Sequence, residues 1–330
     1  MGLVTLGLIN LPPGDVLSAY RNDPKVSPTE IRKQERKFRF DRSFVVQYGY
    51  WLKNLFLEWP DDVQPASAAA DGTKPKSWLP TRVRLDLGYS FLNKRPVVDV
   101  ISERLVNTLM LSVASLLLIW AVAVPLGTYS AVKQYSLGDK TLSFIAFIGM
   151  SFPSFFLALI LLYLVSLTGW LPIGGLRSNN YYELGFLGQL IDLAKHMVVP
   201  VIVVVTGSIA GMQRLMRGNM LEVLRMQYVT TARAKGLPEK AVIFRHALRN
   251  ALNPMITIFG YEFSGLLSGV ALTEMITSYP GLGSVMLEAV RAQDVFLVMA
   301  SMMIGGVMLI AGNLIADVLL ALADPRISYD

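Results

Sequence analysis

The chain has 330 residues, of which 53% are hydrophobic and only 16% are charged, and its mean hydropathy is +0.47. This composition excludes an ordinary soluble domain and favours a protein that uses the lipid bilayer as its solvent. The absence of cysteine excludes disulfides, thiol catalysis and thiolate metal sites. The net charge of +6 does not indicate a nucleic-acid partner, because the basic residues do not lie along one aromatic-studded soluble surface.

The chain begins with a short apolar run that ends at Pro12-Pro13-Gly14-Asp15. The run is about half as long as a membrane-spanning helix requires. We interpret residues 1–12 as the first transmembrane helix, truncated at its beginning, and a short interfacial helix stays open as an alternative. A signal peptide is disfavoured, because the run has no basic lead and no Ala-x-Ala cleavage site.

Residues 13–104 separate this run from the next apolar stretch. Apolar and aromatic residues between Phe44 and Phe56 recur at helical spacing, which predicts a small folded cap. Between positions 60 and 76 the composition shifts to Pro, Ala, Ser, Asp and Gly. That shift predicts a flexible insertion without a core of its own.

Residues 105–330 contain five stretches that reach the roughly 20 apolar residues needed to span a bilayer. They are Leu105 to Val132, Leu142 to Leu167, His196 to Leu215, Pro254 to Ile276, and Phe296 to Leu322. Together with the first helix they predict an all-α polytopic membrane protein with about six transmembrane helices. Pro125, Pro153, Pro200 and Gly265 are expected at kinks or at points of close helix packing.

The distribution of Lys and Arg in short loops predicts the orientation of these helices. Between Arg214 and Asn253 there are about eight basic residues against two acidic ones, which places this loop in the cytosol. Counting outward, both termini are cytosolic and residues 13–104 lie outside. The external segment carries about sixteen basic residues, but a loop of this length largely escapes the charge rule.

The cytosolic loop 217–253 contains a predicted helical corner. Arg233 and Lys235 suit the negative end of a helix dipole, and Gly236 supplies the left-handed residue that closes the helix. Pro238 suits the first turn of a second helix. In that helix Ala241, Phe244, Leu248 and Ala251 recur on one predicted face, with Arg245 and Arg249 on another. Such a short basic amphipathic helix lies at a membrane surface or docks into a groove on a partner.

The residues of this corner resemble a known family. The loop is similar to the coupling loop of binding-protein-dependent ATP-binding-cassette permeases, in the dipeptide, oligopeptide and nickel branch. The similar residues are Thr231-Ala-Arg-Ala-Lys-Gly236, Arg245-His-Ala-Leu-Arg-Asn250 and Pro254. The resemblance covers nearly the whole chain, including Asp86 to Ser90, Glu274 with Tyr279-Pro-Gly-Leu-Gly283, and Asp324-Pro-Arg326. Two departures from the broader superfamily, Thr230-Thr231-Ala232 in place of Glu-Ala-Ala and Arg249 in place of proline, affect only the choice of subfamily.

The resemblance implies a plasma (inner) membrane subunit of an ATP-driven importer for peptides or related small solutes. Its implied partners are a second permease subunit, two cytosolic ATPase subunits and an external solute-binding protein. This chain has no Gly-x4-Gly-Lys-Ser/Thr loop, so ATP and Mg would bind the partner ATPases, and the chain would be no enzyme. No cofactor or metal is expected on the chain itself. The resemblance assigns ATPase coupling to Ala232, Gly236, Leu237, Phe244, Arg245 and Leu248.

Two further groups of residues are candidates for function. Glu262 and Glu274 are carboxylates in or near predicted spans, where an ionised group needs a cavity or a partner, so we expect them along the translocation path. The loop at Tyr279, Pro280 and Gly281 is a candidate surface for external docking. The alternative that Pro280-Gly281 is only a turn stays open.

Two rival functions agree less well with the sequence. An ion-coupled secondary transporter also has several spans and buried carboxylates, but two related halves with broken helices are not visible in the sequence. A membrane enzyme is disfavoured, because His196 and His246 lie far apart without Glu or Cys at metal spacing. The sequence does not distinguish peptide, glutathione, nickel-chelate and oligosaccharide substrates.

Overall fold

The computed structural model describes residues 21, 26–29, 31–32, 35, 40, 42–55, 57–58, 82–83 and 86–323. These residues are mainly helical, which confirms the predicted all-α class, and two pairs of two-residue strands are the exception. The predicted first span at 1–12, the insertion at 60–76 and the Asp324 tail lie outside the described residues.

The helices are α1 (Phe44–Asn54), α2 (Val97–Val132), α3 (Leu137–Ser151), α4 (Ser154–Thr168), α5 (Phe186–Leu224), α6 (Gln227–Ala234), α7 (Glu239–Ala241), α8 (Leu248–Ala251), α9 (Asn253–Gly269), α10 (Ala271–Ile276), α11 (Leu282–Arg291) and α12 (Val295–Ala323). A π-helical segment, Val242–Ala247, joins α7 to α8, and a 3₁₀ turn covers Tyr181–Glu183. The strands pair antiparallel as β1 (Leu57–Glu58) with β2 (Arg82–Val83), and β3 (Tyr89–Ser90) with β4 (Arg95–Pro96).

Three of the described helices, α2, α5 and α12, are long and apolar enough to cross a membrane. A fourth span exists if α3 and α4 are counted together, although they meet at an angle of 96°. The expected count of about six is therefore not confirmed by the described residues. Both α2 and α5 are longer than the predicted spans, at 36 and 39 residues, because helical structure continues beyond the apolar stretch.

The predicted span from Leu142 to Leu167 is broken at Pro153, one of the positions where a kink or close packing was expected. Helices α3 and α4 have 15 residues each. Either helix alone extends only about 22 Å, which is shorter than the roughly 30 Å hydrocarbon core of a bilayer. The break follows from Pro153, which disfavours helical torsion angles at the preceding residue. Phe152 accordingly has φ −87° and ψ 127°.

The predicted span from Pro254 to Ile276 is also divided. Helix α9 ends at Gly269, and Val270, with ψ near 1°, separates it from α10. Gly265 has no atom within 4 Å of the position of a Cβ, so it is not a close-packing point. That role falls to Gly260, where a Cβ would lie 2.7 Å from the backbone nitrogen of Asn313 on α12.

The described chain divides into two compact units. The first comprises residues up to Leu105 and residues 285–304. In it α1 matches the helical spacing predicted for the cap, and Trp51 donates its indole N–H to the carbonyl of Leu87 at 3.1 Å. The buried Asp294 carboxylate accepts hydrogen bonds from the Ser90 hydroxyl at 2.8 Å and from the amide N–H of Leu297 at 3.3 Å. Asp294 thus caps α12 and fixes the hairpin of β3 and β4 beside it.

The second unit comprises residues 106–284 and 305–330. A large apolar cluster in it centres on the fully buried Met216 and Met220 of α5. Packed around them are buried residues of α2, α6, the π-helical segment and α8. A Cβ at Gly127 would lie 2.6 Å from the Met216 side chain, so α2 approaches α5 closely. The helices that follow α5 in the chain pack against this cluster through their buried residues.

Candidate functional site

The corner predicted at residue 236 is present. Gly236 has φ +75°, which confirms the predicted left-handed conformation. Its N–H donates to the carbonyl of Arg233 at 2.9 Å, and the N–H of Leu237 donates to the carbonyl of Ala232 at 3.4 Å. This pair of bonds is the Schellman arrangement that ends a helix at a left-handed residue. The chain therefore turns sharply from α6 into α7.

An ion pair bridges the two sides of the corner. The guanidinium of Arg233, near the end of α6, lies 2.7 Å from the carboxylate of Glu239 at the start of α7. Its hydrogen bonds hold the pKa of Glu239 below the ordinary value. Both side chains are exposed, so the pair contributes little to stability and serves mainly to hold the corner in one geometry.

The helix after the corner has one buried face and one exposed face. Val242, Ile243 and Ala247 are buried, whereas Phe244 is 62% exposed and lies beside Arg245, which is also exposed. Residues Val242–Ala247 form a π-helical segment with hydrogen bonds of the i→i+5 type. Of the residues predicted on one face, Phe244 is exposed and Ala251 is buried.

The structure separates the six predicted coupling residues into two groups. Ala232 is 6% exposed and belongs to the core cluster around Met216, and Leu248 packs against the same cluster. The others reach the surface: Gly236, Leu237, Phe244 and Arg245. The exposed group offers an apolar and basic surface, and the buried group connects it to α5.

Glu262 lies at a cavity of about 310 Å³ between α4, α5, α9 and α10. The side chain is half-buried, and hydroxyl groups from Ser154, Ser208 and Thr273 also line the cavity. Glycines at 207 and 265 leave space in its wall. The cavity therefore combines one carboxylate with several neutral hydrogen-bonding groups inside an otherwise apolar bundle.

Glu274 does not join Glu262 at this cavity. Its side chain is 0% exposed and accepts a hydrogen bond from the Thr108 hydroxyl at 3.1 Å and one from the N–H of Ser284 at 2.8 Å. Thr108 in turn accepts from the N–H of Leu282 at 2.7 Å. The carboxylate thus holds α2, α10 and the first turn of α11 together.

The loop from Tyr279 to Gly281 is packed into the same cluster. Tyr279 is 1% exposed and donates its hydroxyl to the carbonyl of Asn107 at 2.8 Å, and Asn107 donates its amide to the carbonyl of Pro280 at 2.8 Å. Gly281 is buried so close to Glu274 that a Cβ would overlap the carboxylate. This burial favours the interpretation of Pro280-Gly281 as a turn over that of an accessible docking surface.

Two polar clusters were not predicted. Arg217 on α5 forms a two-point contact with Asp139 at the start of α3, at 3.0 and 3.2 Å. The Ser136 and Asp139 spacing is a helix-capping pattern visible in the sequence, but a partner 78 residues away is not. At the beginning of α5, the Asp192 carboxylate accepts hydrogen bonds from Ser178, and the carbonyl of Asp192 lies 2.8 Å from Nδ1 of His196. The contact with His196 is between residues four apart on one helix, but no local pattern indicates the contact with Ser178.

The structure is that of a multi-pass membrane protein with a permease-like architecture. It has long apolar helices, a polar cavity between helices, and an exposed corner that packs against the core. The fold resembles that of the MetNI methionine ABC transporter in an inward-facing conformation, with a TM-score of 0.52 and 15% identity. The similarity covers 67% of this chain and 96% of that one.

The model of the family described as binding-protein-dependent transport system inner membrane component matches residues 123–329. The chain is 35% identical over 329 residues to the oligopeptide transport system permease protein AppB of Bacillus subtilis (strain 168), covering 99% of this chain and 94% of that protein. It is 33% identical over 342 residues to the di/tripeptide transport system permease protein DppB of Pseudomonas aeruginosa (strain UCBPP-PA14), with the same shares covered.

The chain belongs to the family of binding-protein-dependent transport system inner membrane components. It is accordingly a multi-pass permease component, and the comparisons give no support to an ion-coupled transporter.

Proposed function

We propose that this permease forms half of the translocation path of an ATP-driven importer for peptides or related small solutes. The observation that carries the proposal is the corner at Gly236, which exposes Leu237 and Phe244 while its rear face is built into the core. The similar proteins are named as oligopeptide and di/tripeptide transport system permeases, which supports peptides as the substrate class.

The proposed assembly contains a second permease subunit, two cytosolic ATPase subunits that bind ATP and Mg, and an external solute-binding protein. The chain itself catalyses no reaction and binds no cofactor. Both termini and the corner face the cytosol of a cell bounded by the plasma (inner) membrane, and residues 13–104 face outside. The eight basic residues between Arg214 and Asn253 support this orientation.

In the proposed mechanism the corner moves with α5 as one body. Leu237, Phe244 and Arg245 contact the ATPase, and Ala232 and Ala247 pack against the core cluster that contains Met216. Movement of the ATPase would therefore be passed to α5, which also lines the cavity at Glu262. ATP binding shifts the equilibrium between two conformations by its different affinity for them.

The cavity at Glu262 is proposed as part of the translocation path. A carboxylate among hydroxyl groups provides acceptors and donors for the charged and amide groups of a short peptide. Several weak contacts of this kind allow a solute to enter and also to leave. Glu274 and the loop at Tyr279 serve a structural role beside the path.

Phe244→Ala in the complete importer tests the proposal. Phe244 is 62% exposed and makes no ring contact in the described part of the chain, so its removal should leave folding intact while weakening retention of the ATPase. Phe186→Ala is the matched control, because Phe186 is 76% exposed at the other end of α5.

The measurements are co-purification of the ATPase and hydrolysis of ATP stimulated by the solute-loaded binding protein. Loss of both for Phe244→Ala alone supports coupling through the corner. Unchanged retention and stimulation would refute it. Solute transport on an ion gradient by the chain without any ATPase would refute the whole proposal.

A further inference from the structure

A second cavity, of about 340 Å³, lies between α3 and α5, separate from the one at Glu262. On α3 it is lined by Ser143, Ala146 and Phe147, which lie on one face because they are three and four residues apart. On α5 the residues follow the same helical spacing: Ala210, Gln213, Arg214 and Arg217. Two facing helices thus enclose a space that contains two arginines.

The cavity has an excess of positive charge. Arg217 is compensated by Asp139, which it contacts at two points. Arg214 forms no ion pair in the part of the chain that the structure describes, and its guanidinium lies 4.6 Å from the centre of the Phe147 ring. None of the described residues that line the cavity carries a carboxylate, so the uncompensated charge favours an anion there.

The surroundings of the cavity are apolar and exposed. Phe144, Ile145 and Ile148 on α3 flank the lining residues, and their side chains are 65%, 59% and 43% exposed. In a membrane-spanning chain such a surface suits hydrocarbon chains. An anionic group in the cavity with acyl chains along α3 has the chemistry of a phospholipid.

The depth of the cavity fits a lipid headgroup. Helix α5 ends at Leu224, so Arg217 lies about two turns and Arg214 about three turns from the proposed cytosolic end of the helix. Arginine at this level can contact a phosphate with two parallel hydrogen bonds. Basic pockets between transmembrane helices on the cytosolic side are typical sites for acidic lipid headgroups.

We propose that this cavity binds the phosphate of an anionic phospholipid of the cytosolic leaflet, with Arg214 as the principal ligand and Gln213 and Ser143 as further hydrogen-bonding groups. The inference uses the proposed orientation but not the coupling mechanism. A lipid at this position would contact both α3 and α5, and would therefore be sensitive to any change in their separation.

Native mass spectrometry of the assembled importer tests the proposal, with phosphatidylglycerol, phosphatidylcholine and inorganic phosphate as separate probes. Arg214→Gln should reduce phosphatidylglycerol affinity about tenfold, the loss expected for one charge-assisted contact, and leave phosphatidylcholine unaffected. Arg225→Gln removes the same charge after the end of α5 and away from the cavity, and should change nothing. Ala146→Phe keeps both arginines but fills the cavity, and should also reduce the affinity.

Three results would overturn the proposal. Equal phosphatidylglycerol affinity in Arg214→Gln and Arg225→Gln would show that the lipid binds elsewhere. Competition by millimolar inorganic phosphate with no dependence on acyl chains would assign the site to a soluble anion. Displacement of the lipid by a transported peptide would assign the cavity to the translocation path. Because binding is measured without ATP hydrolysis, its failure is distinguishable from failure of the coupling hypothesis.

Discussion

Replacement of Glu274 by alanine should destabilise the permease by removing the acceptor at the centre of a buried hydrogen-bonded cluster. The change leaves the Thr108 hydroxyl and the Ser284 amide N–H without their acceptor in a region closed to water. An unsatisfied buried donor costs about 1–3 kcal/mol, and since the hydroxyl can rotate toward another acceptor we expect about 3 kcal/mol in all. With an unfolding entropy of about 2.1 cal/mol/K per residue, that corresponds to a fall in Tm of about 4 °C for a chain of this size.

The assay is thermal unfolding of the purified complex, followed by intrinsic fluorescence, with Thr108→Val and the double variant measured beside Glu274→Ala. Thr108 and Glu274 share one hydrogen bond, so the double variant should be less destabilised than the sum of the single variants by about 1–2 kcal/mol. Glu274→Gln keeps the shape but offers one acceptor, and should fall between parent and alanine. If Glu274→Ala unfolds within about 1 °C of the parent, corresponding to a fraction of a kcal/mol, the structural role is refuted. Normal stability combined with lost transport would instead place Glu274 on the path.

Three further changes test other parts of the structure. Asp294→Ala removes the cap of α12 and the acceptor for Ser90, so we expect a loss of about 2–4 kcal/mol and faster proteolysis between α1 and β4. Glu288→Ala, at an exposed position, is the control. Gly281→Ala places a Cβ against the Glu274 carboxylate, so it should lower the Tm. Gly175→Ala is the control: its Cβ would meet no atom within 4 Å, but Gly175 has φ +83°, so we expect only the roughly 1 kcal/mol cost of a strained backbone. Arg217→Gln leaves the buried Asp139 carboxylate without its charged partner, and Asp139→Asn in the same chain should restore part of the lost stability; additive losses would contradict the pairing.

The corner was predictable because its determinants are local. A left-handed residue at a helix end favours glycine, and Gly236 follows directly on a basic helix end in the sequence. The apolar content and length of α2, α5 and α12 likewise predict membrane-spanning helices. These features depend on neighbouring residues, so a single sequence contains the information.

Other features depend on contacts that a single sequence does not show. Pro153 indicates a kink in the stretch from Leu142 to Leu167, but not that α3 and α4 meet at 96°. Glu274 is predicted on the path because its hydrogen-bond partner Thr108 lies 166 residues away in the sequence. The π-helical segment Val242–Ala247 is not represented by the 3.6-residue periodicity used for prediction.

The π-helical segment also affects which changes of length the corner can tolerate. A π turn holds one residue more than the α-helix on either side of it. Removal of one residue from Val242–Ala247 should therefore allow an ordinary α-helix to form here. In such a deletion variant we expect the residue in the place of Phe244 to be rotated relative to the core.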